Sequence, residues 1–279
     1  MPRLTLLAAL LTLAPLSLPD AALAQVLVGH QRLVGVLNPI GAEHMVSVGA
    51  RASLDLPDEL LFGDTHVELG LVNYTSPIYS RTGGYFEIQP LAIAIVRAEV
   101  RQVSMWSIGM PGAGYYPVLE GQVDGQGDEL GEPGTATGIE AQVSVTVQGA
   151  VPLGDLRLLA WDQLAYELIH LGDAARYASP RHDAVLMRDA DVLTNSAMLL
   201  LGVPLTPQFE LRVGAYDEVQ WLPETGALTH QVGPLVALTV ERPAPGVHEL
   251  TPLIRAGVFT EGRRTAEFTL LLGLLLEYR

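Results

Sequence analysis

The chain of 279 residues carries 16 basic against 31 acidic side chains, a formal charge of −15, and no cysteine. That balance excludes recruitment to nucleic acid or anionic lipid by bulk electrostatics. The missing cysteine excludes disulfides, thiolate metal sites and an acylated lipoprotein. Almost half of the residues are apolar (49 %) and the mean hydropathy is +0.29, yet no apolar run beyond the N-terminus approaches the roughly eighteen residues of a membrane-spanning helix.

Arg3, the apolar run Leu4 to Leu18 and the small-x-small sequence Ala22-Leu23-Ala24 before Gln25 have the order of a secretory signal peptide over 1–24. Its apolar core of about fifteen residues is short for a spanning helix. Residues 25–279 then form one domain. An apolar exported chain without such helices is either a soluble β-sandwich or a closed barrel that turns its apolar face to lipid.

Alternation decides between them. Residues 25–41 read as an N-terminal extension or partial strand. Val46, Val48, Ala50, Ala52 and Leu54 alternate with Ser47, Gly49, Arg51, Ser53 and Asp55; Val67, Leu69 and Leu71 alternate with His66, Glu68 and Gly70. Over 85–106 the even positions Phe86, Ile88, Ala92, Ala94, Val96, Ala98 and Val100 are apolar against Glu87, Gln89, Arg97, Glu99 and Arg101. Ile139, Ala141, Val143, Val145 and Val147 oppose Glu140, Gln142, Ser144, Thr146 and Gln148. The stretch 155–170 follows the same rule except at Asp162, which interrupts the face of Leu156, Leu158, Ala160, Leu164 and Leu168 and points to a register shift or a misplaced strand. Strands near 191–203, 208–221, 229–240, 248–259 and 266–278 complete the set; in the last, Phe268, Leu270, Leu272, Leu274, Leu276 and Tyr278 share one face. Period-two segments of about ten residues separated by turn residues are the barrel signal. The count is about ten antiparallel strands, or about twelve if 85–106 hides a hairpin.

Connection lengths support closure in a membrane. With the C-terminus on the periplasmic side, the short turns at 152–154, 204–207 and 242–246 share that side, while 107–138, 172–190, 222–228 and 260–264 fall outside. Transmembrane barrels have short inner turns and longer outer loops.

On these segments the chain resembles Gram-negative outer-membrane β-barrel proteins as a broad class. The alternating final strand and the aromatic Tyr278 resemble the signal such proteins present to the barrel-assembly machinery, although Arg279 follows the aromatic residue. The resemblance implies an all-β, up-and-down transmembrane barrel in the outer membrane, surrounded by lipid and lipopolysaccharide.

In that register Arg97, Glu99, Arg101, Glu140, Gln142, Glu210, Arg212, Arg255 and Glu267 point into the lumen, where they either line a pore or pair across it as a plug. Tyr74, Trp106, Trp221 and Tyr278 fall near strand ends, the place of interface aromatics; Trp161 is mid-strand and does not. Gly83-Gly84 and Gly112-Ala113-Gly114 read as turns. No His-Glu-x-x-His or Gly-x-Ser-x-Gly sequence occurs. Arg181-His182-Asp183 is the one cluster suggesting a rim hydrolase, and a solvated loop accounts for it more simply. Asp124, Asp128, Glu129 and Glu132 lack the calcium-loop spacing and read as an acidic outer loop. No catalytic residue, cofactor or metal is assigned. The expected function is a narrow channel or transporter for small or apolar solutes; the alternatives are a structural or surface-interaction barrel and, third, a rim hydrolase.

Overall fold

A computed structural model describes residues 25–38, 40–53, 65–110, 113–119 and 130–278. The signal-peptide segment 1–24 and the acidic residues Asp124, Asp128 and Glu129 lie outside the described residues. The strands, in chain order, are β1 (Gln25–Leu37), β2 (Gly41–Ser53), β3 (His66–Ser76), β4 (Tyr79–Leu91), β5 (Ala94–Trp106), β6 (Tyr116–Pro117), β7 (Thr135–Leu153), β8 (Leu156–Leu171), β9 (Arg176–Ser179), β10 (Ala184–Met187), β11 (Asp189–Thr206), β12 (Phe209–Leu222), β13 (Ala227–Ala244), β14 (Val247–Glu261) and β15 (Phe268–Tyr278). Twelve of them close into one antiparallel barrel, with β1 paired to β15 from Gly29↔Tyr278 to Leu37↔Leu270. The other three form a separate sheet in the order β10-β9-β6.

The count is twelve, the alternative that the sequence also allowed, and two segments account for the difference from ten. Residues 25–37 are a full strand, which pairs with β2 on one side and with the last strand on the other and so closes the barrel. The stretch 85–106 is not one strand: Tyr79–Leu91 and Ala94–Trp106 form a hairpin. Its register pairs Phe86 with Ala98 and Ile88 with Val96, even with even, so alternation continues in phase through the reversal and conceals it. Gly83-Gly84 is correspondingly no turn. Both lie within β4, and Gly83 packs so close to the Val100 carbonyl that a Cβ would collide with it.

Both described termini lie at one end of the barrel. Connections there are two residues long at 92–93, 154–155, 207–208 and 245–246; the 54–65 connection is the long exception. At the other end lie the short connections 38–40 and 77–78 and the longer ones 107–134, 172–188, 223–226 and 262–267. We call the ends terminus-bearing and loop-bearing.

The outer face is apolar and uncovered: Leu71 is 72 % exposed, Leu69 65 % and Phe268 58 %. The inner face holds the buried charges, among them Glu68, Glu99, Arg101 and Glu140. This is the reverse of a soluble barrel, and closure leaves no sheet edge to be solvated, which is the form in which strands cross hydrocarbon. The odd case is Asp162. The β7–β8 register runs unbroken from Leu153↔Leu156 to Gly138↔Leu171, so neither a shift nor a misplaced strand is involved. Asp162 faces outward beside Val147 and Ala197, and the Asn195 amide donates to its carboxylate at 2.7 Å.

Candidate functional site

The lumen divides by height. Toward the loop-bearing end the inward positions turn apolar: Val103 and Met105 on β5, Ile169 and Leu171 on β8, Ala190 and Val192 on β11, and Leu222 on β12. They do so because the 172–188 connection folds into the mouth. Its hairpin β9–β10 buries Tyr177 and Leu186 against that wall, and Tyr115 joins from the 107–134 connection with its ring centroid 5.7 Å from that of Tyr177. The hairpin turn is Pro180-Arg181-His182-Asp183, closed by the His182 N–H donating to the Ser179 carbonyl at 3.2 Å. Asp183 takes φ 48°, a left-handed conformation that Asp tolerates better than most residues.

The tip of this hairpin enters an ion-pair network. Glu140 on β7 accepts from Arg81 at 3.0 Å, from Arg181 at 3.2 Å and from Arg101. Arg181 also pairs with Glu167 on β8, and Arg101 reaches the same carboxylate at 3.3 Å. From Arg81 the chain of pairs runs to Glu43 at 2.6 Å and Arg32 at 2.9 Å. From Arg101 it runs through Glu99 (2.6 Å) and Arg97 (2.6 Å) to Glu87 (3.2 Å). The Gln142 carbonyl accepts from Arg101 at 2.6 Å, and the Tyr74 ring lies 4.2 Å from the Arg81 guanidinium. Arg101 is only 1 % exposed. An unpaired charge so far from water would be strongly disfavoured, which explains why every charge in this network has an opposite neighbour.

The sequence-derived lumen residues are therefore distributed over four places, one of them outside the lumen. Arg97, Glu99, Arg101, Glu140 and Gln142 meet in the network. Glu210 and Arg212 pair with each other at 2.7 Å, with Arg157, near the terminus-bearing end. Arg255 pairs with Glu218 at 3.1 Å and lies 4.2 Å from the Tyr216 ring. Glu267 is not in the lumen: β15 begins one residue later, and its carboxylate sits in the exposed 262–267 turn, accepting from Asn38 at 3.0 Å and Arg264 at 3.2 Å. Those bonds, Asn38 first, hold its pKa below the usual carboxylate value.

Among the aromatics, Trp106 and Trp221 stand at the loop-bearing end of outward positions, the latter 43 % exposed, and Tyr278 at the terminus-bearing end of β15. Tyr74 is the exception. It is buried on the inner face and its hydroxyl donates to Glu99 at 3.2 Å, because β3 turns its even positions inward.

Arg181-His182-Asp183 forms neither a solvated loop nor an open rim site. His182 is 7 % exposed, with Nδ1 2.7 Å from Ser179 Oγ and Nε2 3.1 Å from the Glu167 carboxylate. Burial and then the Arg181 guanidinium hold its imidazole down at about 4, so it is neutral at pH 7. Nε2 also lies 2.7 Å from a terminal nitrogen of Arg181, which can only donate, so the neutral ring accepts there from Arg181 and donates from Nδ1 to Ser179 Oγ. Glu132 is exposed. Among the described residues, His66, Glu68 and Glu87 place donor atoms within 4.8 Å of one another and could hold a metal ion. Arg51 at 2.8 Å, Tyr85 at 2.5 Å and Arg97 at 3.2 Å already satisfy those two carboxylates.

Beside the hairpin runs a cavity of ≈970 Å³. Ile40, Gly41 and Thr269 line it at the loop-bearing end, and Gln148 and Glu277 line it toward the other end. One wall is the charged network; the opposite wall presents Thr194, Gln220, Thr229 and Gln231. Glu43, Arg81, Glu167 and Arg181 were not singled out from the sequence as lumen residues. Their signal was available: inward positions that change from polar to apolar along β5, β8 and β11 mark a lumen that is filled at one end.

No family model matches the chain, and no curated protein sequence matches it. Similar solved structures include the translocator domain of the autotransporter NalP from Neisseria meningitidis (14 % identity, 99 % of this chain and 96 % of that one, TM-score 0.45). The β domain of the Bordetella autotransporter BrkA (9 %, 92 % and 99 %, TM-score 0.45) and the porin NanC (10 %, 90 % and 99 %, TM-score 0.40) are two more. The closed twelve-stranded antiparallel barrel with its apolar outer face and charged interior has the fold of an outer-membrane β-barrel.

Proposed function

We propose that this chain is a narrow channel of the bacterial outer membrane that passes small polar solutes. The observation that carries the reading is the cavity of ≈970 Å³, which follows the lumen between residues of both ends. Its walls are guanidinium, carboxylate, amide and hydroxyl groups, which exchange hydrogen bonds with a hydrated solute and offer little to an apolar one. Polar solutes are therefore favoured over the apolar ones that the sequence left open. The exposed apolar belt fits a lipid surround, and the outward row Phe268 to Tyr278 fits recognition by the assembly machinery.

A structural barrel is the second reading, favoured by the hairpin and ion pairs that fill the loop-bearing half. Solute-driven swelling of proteoliposomes separates the two. The channel reading expects uptake of small sugars or amino acids that declines with solute size, and more uptake once 176–187 is replaced by a short Gly-Ser link. No uptake in either protein would leave the structural barrel.

A further inference from the structure

Resting on the channel reading, we infer that Arg264 is the strap of a gate at the outer neck of the cavity. The neck is the loop-bearing end of the cavity, lined by the hairpin tip, Pro180 and Asp183, and by Val36, Ile40, Gly41 and Thr269 of the barrel wall. Arg264, on the turn between β14 and β15, joins the two sides. Its Nε donates to Asp183 Oδ2 at 2.6 Å, and one terminal nitrogen donates to Asn38 Oδ1 at 2.7 Å and Glu267 at 3.2 Å. Asn38 in turn donates to Glu267 and to the Phe268 carbonyl at 2.8 Å. The wall side of the strap is thus fixed by several bonds, and the hairpin side by one.

The rest of the hairpin is held differently. Tyr177 and Leu186 are buried in the apolar mouth, Arg181 is clasped by Glu140 and Glu167, and the Gln220 amide donates to the His182 carbonyl at 2.8 Å. Release of Asp183 from Arg264 leaves all of these in place. The Asp183 and Arg264 side chains are then free to swing apart, and the neck widens while the hairpin backbone stays docked. A single charge-assisted bond is strong enough to bias two positions of a segment and weak enough to be broken thermally.

The test is current through the full-length protein in planar bilayers, comparing wild type, Asp183→Arg, Arg264→Asp, the double exchange Asp183→Arg/Arg264→Asp, and the variant with 176–187 replaced. Heat-dependent gel migration checks that each barrel is closed, and Asp183→Asn with Arg264→Gln serve if a reversed charge prevents folding. The gate predicts that either single change raises the conducting fraction about tenfold and that the double exchange returns it toward wild type. Currents equal to wild type in the single variants, alongside a conducting hairpin-replaced variant, would overturn the gate and leave the channel. Silence of the hairpin-replaced variant as well would remove the channel reading, and the gate with it.

Discussion

Glu140 has lost almost all contact with water and accepts from Arg81, Arg101 and Arg181, so one carboxylate holds three guanidiniums together. Removing one partner of a buried ionic cluster leaves the others unpaired in a poor solvent, at about 3–5 kcal/mol. Glu140→Gln is expected to lose that much in denaturant unfolding from detergent micelles, followed by tryptophan fluorescence. Glu267→Gln, at the exposed turn, should leave the midpoint where it is. His182 gives a pH dependence. Its folded value of about 4 lies below the ordinary 6.5, because of burial first and Arg181 second. The docked hairpin therefore keeps its full stability above about pH 6.5 and loses it as the pH falls toward 4, where the undocked imidazole binds the proton more readily. Amide exchange in 176–187, corrected for its intrinsic pH dependence, should quicken across that window in wild type and much less in His182→Gln; identical profiles would remove His182 as the cause.

At the scale of elements, two tyrosines reach across the inner face to glycines one or two strands away. Tyr85 of β4 lies over Gly49 and Gly70, and Tyr216 of β12 lies against Gly257 of β14. A Cβ at Gly257 would meet the Tyr216 hydroxyl, which is buried without a hydrogen-bond partner among the described residues. Gly257→Ala should therefore cost about 1–3 kcal/mol by overpacking. Tyr216→Phe removes an unsatisfied hydroxyl and should by itself change little. In the double variant part of the loss should return; additive losses would mean that the ring and the glycine do not touch. The strands themselves were largely legible, because a lipid-facing side and a polar lumen force period-two alternation on every one of them. What alternation cannot show is a reversal that keeps its phase, as between β4 and β5, or a strand whose partner lies at the far end of the chain, as β1 does. Inner and outer positions follow the same alternation, and the structure places Arg97, Glu99, Arg101 and Glu140 on the inner face; Tyr74 also faces inward, because position near a strand end says nothing about face.

At the scale of the molecule, the barrel is a closed wall whose loop-bearing mouth is filled by its own connections. That filling was not legible from the loops, since β9 and β10 are four residues each and their charges resemble those of a solvated segment. It becomes visible only when Arg181 is seen beside Glu140 and Glu167, contacts that span 41 and 14 residues of sequence. The outcome is an object with an apolar exterior, a charged interior and a polar cavity alongside a hairpin. Every part of the functional reading depends on one assignment, that even positions of the last strand face lipid and odd positions face the lumen. Because the chain has no cysteine, single cysteines placed along β15 report on this directly. In proteoliposomes, cysteines at 270, 272, 274 and 276 should react with a maleimide confined to the hydrocarbon phase and resist a charged, water-soluble one. Cysteines at 269, 271, 273 and 275 should resist the lipid-phase reagent. Reaction of both sets with the water-soluble maleimide at equal rates would contradict the account, because the outer face would then be in water and the barrel would not span a membrane.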